Sequence, residues 1–140
     1  MKRITEAINK ACKPIIYAGH GCTLNRPIFN WFIEMLQMPV MLSWRAIDLL
    51  SDDHPLFAGR PGLIAQPDAN KRLMGADLLL IIGARMDDSL TCYNIRNFAP
   101  KAVKIVVDCD EGELDRLPDD WITVNMDATE FMRELVEALG

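Results

Sequence analysis

The sequence predicts an α/β fold, a doubly wound parallel sheet with helices on both faces. The clearest sign is the run Leu78–Ile82, which has no polar face and is typical of a strand buried on both sides. Short apolar runs of this kind alternate with helical patterns along the chain, without internal repeats. The 140 residues, half of them apolar, suffice for one domain with a substantial core. We therefore expect five or six parallel strands.

Apolar runs and helical periodicity place the individual elements. Strands are expected at residues 15–18, 39–43, 78–82, 103–107 and 121–124. Helices are expected at residues 4–11, 68–75 and 111–117, with two more that open at Asn25 and at Asp127 or Thr129. The apolar face of the second helix is formed by Ile28, Phe32, Met35 and Leu36. Residues 44–67 are irregular and long for a simple connection, which suggests a functional loop.

Composition argues against several classes of protein. The net charge of -5 and the lack of a basic stripe argue against a nucleic-acid partner. No apolar run approaches the roughly 20 residues needed to cross a bilayer, and the charged amino terminus is unlike a secretion signal, so we expect no membrane contact. Four scattered cysteines suggest neither a zinc site nor a disulfide framework. We expect a cytoplasmic protein with reduced thiols.

Glycine-rich or charged segments follow three of the predicted strands. They are Gly19-His20-Gly21, Gly83-Ala84-Arg85 and Asp108-Cys109-Asp110. Because the carboxyl ends of parallel strands meet at one edge of a sheet, these segments should face one crevice. Glycines let backbone N–H groups approach a phosphate, an arginine neutralises it, and an acidic residue accepts hydrogen bonds from ribose hydroxyls. This pattern indicates a nucleotide site. The alternative interpretation is that the glycines make tight turns and the aspartates cap helices.

The sequence predicts no catalytic residues and no metal ligands. No serine or cysteine nucleophile can be paired with His20 from the sequence, and the adjacent Asp87 and Asp88 would point in different directions. The first glycine motif also lacks the third glycine of the dinucleotide fingerprint, because Leu24 stands at that position.

A series of short motifs covers nearly the whole chain. They are KPIIYAGHGC at 13–22, MPV at 38–40, DHPL at 53–56, GRPG at 59–62, AN at 69–70, ADLLL at 76–80, GARMDD at 83–88, FAP at 98–100, KIVVDCD at 104–110 and DA at 127–128. In this order and spacing the chain resembles the central domain of thiamine-diphosphate-dependent enzymes of the acetolactate synthase, pyruvate oxidase and pyruvate decarboxylase group. The resemblance implies that residues 1–140 form one Rossmann-like central domain.

The resemblance also implies what such a domain works with. In the full-length enzyme a pyrimidine-binding domain precedes it and a diphosphate-binding domain follows it, and both are absent from this sequence. The family's Gly-Asp-Gly and Asn-Asn metal-diphosphate motif does not occur here either. Thiamine diphosphate and Mg²⁺ would therefore serve a homo-oligomeric enzyme, a transferase or lyase acting on 2-oxo acids, without being bound by this chain. The isolated chain is expected to be inactive.

A nucleotide-associated crevice is implied as well, because acetolactate synthases and pyruvate oxidases hold FAD against this domain. The residues that would line it are Gly19, His20, Gly21, Ser43, Trp44, Gly59, Arg60, Gly62, Gly83, Arg85, Asp108, Asp110 and Asp127. Three positions depart from the flavin-binding synthases, with Ser89 in place of a second arginine and Cys92 and Met126 in place of glycines. Losing the arginine removes a contact worth about 1.5–3 kcal/mol, so the affinity for FAD should be lower or absent. FAD and ADP stay the candidate ligands of the crevice.

Two other functions stay open at this point. The chain is alternatively a free-standing nucleotide-binding or regulatory module that works without catalytic partners. It is otherwise a purely structural domain with an empty crevice. The length of the natural gene product tests the first of these, and titration with nucleotides tests the second.

Overall fold

Six parallel strands form one sheet in the computed structural model, which describes residues 1–62, 67–86 and 95–140. The strands are β1 (Pro14–Ala18), β2 (Val40–Leu42), β3 (Phe57–Gly59), β4 (Leu78–Ile82), β5 (Val103–Asp108) and β6 (Ile122–Asn125). Their order across the sheet is β3-β2-β1-β4-β5-β6. This is the order of a doubly wound nucleotide-binding sheet. Successive strands are added on one side of β1 up to β3, and from β4 onwards they are added on its other side. The predicted fold class is confirmed.

Helices cover both faces of this sheet. They are α1 (Lys2–Lys10), α2 (Arg26–Leu36), α3 (Pro67–Met74), α4 (Glu111–Asp115) and α5 (Ala128–Leu139). Buried residues of α1, α2 and α5 pack on one face, while those of α3 and α4 pack on the other. In the described part of the chain, no helix is long and apolar enough to cross a membrane.

The core is organised around β4, the apolar run that predicts the fold. Its five side chains are each at most 1% exposed. Leu79 and Ile81 pack with one helix layer, while Leu78, Leu80 and Ile82 pack with the other, as the two-residue period of a strand requires. Burying each such side chain contributes roughly 1.5–3 kcal/mol. The strand is therefore buried on both sides, as predicted.

Two helix starts are fixed by the side chains that the sequence indicates. Asn25 precedes α2, and its side-chain oxygen accepts a hydrogen bond from the Ile28 N–H at 3.2 Å. Asp127 precedes α5, and its Oδ1 accepts from the N–H groups of Thr129 and Glu130 at 2.9 and 3.2 Å. A cap of this kind stabilises a helix by about 1 kcal/mol. Of the two predicted caps for the last helix, Asp127 is the one used.

The structure corrects two details. The stretch 44–67 is not wholly irregular, because β3 lies within it and pairs with β2 across a register shift. The predicted apolar face of α2 is also rotated, since Met35 is 59% exposed. The fully buried residues of α2 are instead Phe29, Phe32 and Ile33. Ile28 and Leu36 are partly buried against the same core.

Candidate functional site

A crevice of about 790 Å³ opens beyond the carboxyl ends of β1, β4 and β5, next to the point where the strand order reverses. Small-molecule sites in proteins typically measure about 300–1,000 Å³, so the crevice has the size of a ligand site. Eight of the residues predicted from the sequence line it, namely His20, Gly21, Ser43, Trp44, Gly83, Arg85, Asp108 and Asp127. The sheet edge thus brings together segments that lie far apart in the sequence.

The other five predicted residues are not among those that line the crevice. They are Gly19, Gly59, Arg60, Gly62 and Asp110. The backbone N–H and C=O of Gly62 are both bonded to the Asn70 side chain at 2.7 Å, which braces the segment after β3. Arg60 pairs with Asp52 at 3.2 Å and lies over the Phe57 ring. Pro61, which lies between Arg60 and Gly62 in the sequence, does line the crevice.

Several lining residues were not predicted from the sequence. They are Tyr17, Leu24, Arg45, Pro61, Ala84, Val107, Cys109 and Ala128. Most are immediate neighbours of predicted residues, so their position after a strand was the available signal. Arg45 adds a second cation. Leu24 and Trp44 are 70% and 54% exposed. The crevice therefore combines charged groups with accessible apolar surface.

The glycines after β1 are used to pack two loops together. The N–H groups of Gly19 and Gly21 donate to the carbonyl oxygens of Ile82 and Gly83, both at 3.0 Å. A Cβ on Gly19 would lie 2.4 Å from the Ala84 Cα, and a Cβ on Gly21 would lie 2.9 Å from the Gly83 Cα. Only glycine permits this backbone approach. These two N–H groups are therefore committed to the contact between loops.

Gly83 has a conformational requirement of its own. Its φ is +64°, in the left-handed region that glycine adopts without steric cost. In this conformation its N–H donates to the Val107 carbonyl at 3.0 Å. The loop after β4 is thereby tied to β5 on one side and to the loop after β1 on the other.

Arg85 is held by two carboxylates. Its guanidinium lies 3.0 Å from an Asp110 carboxylate oxygen and 3.4 Å from a Glu113 oxygen. The hydrogen bond to Asp110 and the charge of Glu113 raise the pKa of Arg85 above its usual value. Glu113, whose side chain is 4% exposed, also accepts from Arg116 at 3.4 Å and from the Met86 N–H at 3.3 Å. The Arg85 guanidinium is thus already paired.

The acidic residues at the crevice serve local structure, and one of them keeps a free oxygen. Asp110 caps α4 by accepting from the Gly112 N–H at 3.0 Å. Asp108, 8% exposed, accepts from the Asp110 N–H at 2.8 Å through Oδ1. Its Oδ2 makes no hydrogen bond to the described part of the chain. This oxygen is available to a ligand hydroxyl or amine.

Some predicted features fall outside the described residues. These are Asp87 and Asp88, and the departures Ser89 and Cys92. Within the described ranges, no group of three or more His, Cys, Asp or Glu side chains is arranged to hold a metal ion.

The comparison with protein families assigns the chain to a family. Residues 1–135 match the family model described as thiamine pyrophosphate enzyme, central domain. The chain belongs to this family. The resemblance inferred from the motifs is thereby confirmed, and the crevice lies on a thiamine pyrophosphate enzyme central domain.

Individual relatives agree with this assignment. The chain is 32% identical to the acetolactate synthase isozyme 1 large subunit of Escherichia coli over 130 residues, covering 92% of this chain and 23% of that protein. It is 30% identical to the acetolactate synthase large subunit of Corynebacterium glutamicum over 139 residues, covering 98% of this chain and 22% of that protein. The central domain described here thus spans about a quarter of the length of the curated relatives it matches.

A solved structure shares the same fold. It is the X-ray structure of a Mycobacterium smegmatis protein assigned as a thiamin diphosphate-dependent enzyme. The match has a TM-score of 0.76 at 18% identity and covers 99% of this chain and 27% of that one. At this level of identity the likeness concerns the fold alone.

Proposed function

We propose that this chain is the central domain of an acetolactate synthase-like enzyme that joins or decarboxylates 2-oxo acids. The observation that carries the proposal is the match of almost the whole chain to acetolactate synthase large subunits, of which it spans about a quarter. On this proposal a pyrimidine-binding domain precedes the chain and a diphosphate-binding domain follows it, in a cytoplasmic homo-oligomer. The chain's own task is then to hold the two catalytic domains at a fixed separation.

The sheet is suited to that task because its strands are tied together at both ends. At the amino edge, the Asp77 carboxylate accepts from the N–H groups of Cys12 and Lys13 at 2.7 and 2.8 Å. These bonds fix the segment that enters β1 to the segment that enters β4. At the carboxyl edge, the loops after the same two strands are joined by the glycine contacts. A body held in this way is a rigid spacer.

Thiamine diphosphate with Mg²⁺ supplies the carbon–carbon bond chemistry in such an enzyme. The residues of this chain do not fit that cofactor, since the described part offers no metal-binding cluster and the sequence lacks the Gly-Asp-Gly motif. No catalytic step is therefore assigned to this domain. We expect the purified 140-residue chain, supplied with pyruvate, thiamine diphosphate and Mg²⁺, to form no acetolactate and to release no carbon dioxide. Turnover that depends on thiamine diphosphate would overturn this part of the proposal.

A second part of the proposal concerns the crevice, for which a nucleotide such as ADP or FAD is the candidate ligand. The volume of about 790 Å³ and the free oxygen of Asp108 support a nucleoside. The diphosphate fits the structure less well, because Arg85 and the N–H groups of Gly19 and Gly21 already have partners. A ligand at 100 times its dissociation constant adds about 2.7 kcal/mol to the free energy of unfolding. If no nucleoside or nucleotide raises the melting temperature, the chain is a structural domain only.

One observation favours the alternative, a free-standing nucleotide-binding module. The described walls of the crevice are strands and loops of a single sheet, gathered at the point where the strand order reverses, as in nucleotide-binding domains. The length of the native protein separates the two functions. An antibody against this domain should detect a polypeptide several times larger than 15.8 kDa if the chain is an enzyme domain. A native protein of 15.8 kDa would favour the module instead.

A further inference from the structure

The charges around the crevice do not suit a strongly anionic ligand. Among the described residues, the charged groups that line it, or that belong to the ion-pair network around Arg85, are the guanidinium groups of Arg45, Arg85 and Arg116 and the carboxylates of Asp108, Asp110, Glu113 and Asp127. Three cations against four anions leave one net negative charge. Residues 63–66 and 87–94 contain no lysine or arginine, and the second segment contains Asp87 and Asp88. The sequence of these segments therefore supplies no compensating cation.

Backbone donors that would otherwise face a phosphate are also engaged. The N–H groups of Gly19 and Gly21 donate to the loop after β4. At the start of α5, the N–H groups of Thr129 and Glu130 donate to Asp127. A helix amino terminus binds anions through such N–H groups, and here a carboxylate of the protein already occupies them.

Apart from Arg45, whose positive charge is already included in the net count, the groups that remain available suit an uncharged ligand. The free oxygen of Asp108 accepts hydrogen bonds and donates none, so it matches a hydroxyl and repels a phosphate. Leu24 and Trp44 present exposed apolar surface to the same crevice. An aromatic base covers such surface favourably, and an indole face is a good partner for a planar ring.

We propose that the crevice selects a ribonucleoside over the corresponding diphosphate, with Asp108 accepting a ribose hydroxyl and Leu24 and Trp44 covering the base. This inference rests on the proposed nucleotide role of the crevice and narrows it to a class of ligand. One net negative charge about 7 Å from a diphosphate that carries at least two negative charges weakens binding roughly sevenfold or more, even at the dielectric constant of water. The expected order of affinity is therefore the reverse of that in a phosphate-binding loop.

The native chain provides the first test. Isothermal titration of the 140-residue protein with adenosine, AMP, ADP and FAD, at one ionic strength, compares ligands that differ mainly in charge. We expect adenosine to bind at least about fivefold more tightly than ADP, with AMP between them. Raising the salt concentration should reduce the difference, because screening weakens repulsion between the crevice and the phosphates.

A variant that releases Arg85 provides the second test. Asp110→Asn removes the carboxylate that lies 3.0 Å from the guanidinium but keeps a side-chain oxygen for the Gly112 N–H. We expect this variant to bind ADP about fivefold more tightly than the native chain, with adenosine affinity unchanged. Asp119→Asn makes the same change of charge at an exposed position away from the crevice and serves as the matched control. It should leave both affinities as they are.

The outcomes distinguish the inference from the function on which it rests. Tighter binding of adenosine than of ADP, together with the selective gain in Asp110→Asn, supports the inference. Tighter binding of ADP or FAD than of adenosine in the native chain overturns the inference and leaves the nucleotide role standing. If none of the four ligands binds, the nucleotide role and the inference both fail.

Discussion

Replacing Gly19 by alanine tests the contact between the loops after β1 and β4. Gly19 has φ -113° and ψ -166°, which any residue adopts, so the substitution adds no conformational strain at this position. The new Cβ would instead lie 2.4 Å from the Ala84 Cα and 2.5 Å from the Gly83 carbonyl oxygen, about 1 Å closer than ordinary contact. Backbone atoms of the neighbouring loop would have to move. Overpacking of this kind costs about 1–3 kcal/mol, and we expect the upper half of that range.

Urea unfolding followed by circular dichroism measures this cost. With a slope of about 1–3 kcal/mol per molar urea, the midpoint for Gly19→Ala should fall by about 0.7 M or more. Gly75→Ala is the matched control, because its Cβ would meet the Lys71 and Arg72 carbonyl oxygens at 3.7 Å, an ordinary contact. The control should stay within about 0.5 kcal/mol of the native chain. If Gly19→Ala is as stable as the control, the close packing of the two loops is wrong.

Three further predictions concern side chains elsewhere in the structure. Burial raises the pKa of the Cys22 thiol to about 12, so iodoacetamide at pH 8 should modify exposed Cys109 and leave Cys22 unmodified, as peptide mass spectrometry would show. Hydrogen bonds from backbone N–H groups lower the pKa of Asp77 below 3.8. The ionised carboxylate should therefore stabilise the fold fully above that pH, and this stabilisation should be lost as the pH falls through the lower pKa of the folded state. A carboxyl NMR titration would measure that folded-state pKa. Glu113→Ala leaves the buried Met86 N–H without its acceptor, and we expect a loss of about 1–3 kcal/mol in urea unfolding.

A specific result would contradict each of these three predictions. Modification of Cys22 in the folded chain at the rate of Cys109 would show that the thiol is not buried. A titration midpoint for Asp77 at or above 3.8 would show that its hydrogen bonds do not favour the ionised form. Glu111→Ala removes an exposed carboxylate from the same helix and should be nearly neutral, so an equal effect of Glu113→Ala would contradict the role given to the buried carboxylate.

The fold was largely predictable because the strongest signals are local. The apolar run of β4 and the caps Asn25 and Asp127 are each visible in a few consecutive residues. The edge strand β3 was not predictable, since three residues between prolines carry no period and gain their conformation from pairing with β2. The buried face of α2 was misplaced because Met35 fits the helical period, whereas packing against α5 selects Phe29, Phe32 and Ile33.

The candidate site was predictable in location but not in its internal contacts. Placement after parallel strands is enough to gather the lining residues at one edge. The carbonyl that accepts from the Gly19 N–H lies 63 residues away, and the carboxylates that pair with Arg85 lie 25 or more residues away, so no local pattern reveals them. The sequence therefore suggested free N–H groups and a free arginine. In the structure the N–H groups bond to backbone carbonyls and the arginine pairs with carboxylates of the same domain. Asp110 and Asp127 have the capping role that was the alternative interpretation.

The most direct test of this account is a map of where adenosine binds. Amide chemical shifts of the ¹⁵N-labelled chain, recorded during an adenosine titration, should change at residues 20–21, 43–44, 83–85 and 108–109, which surround the crevice. Changes should be smaller at the opposite edge of the sheet, where Cys12 and Lys71 line a separate cleft. Saturable shifts confined to that opposite edge, or no saturable shifts at all, would contradict the claim that this central domain carries a nucleoside site where its strand order reverses.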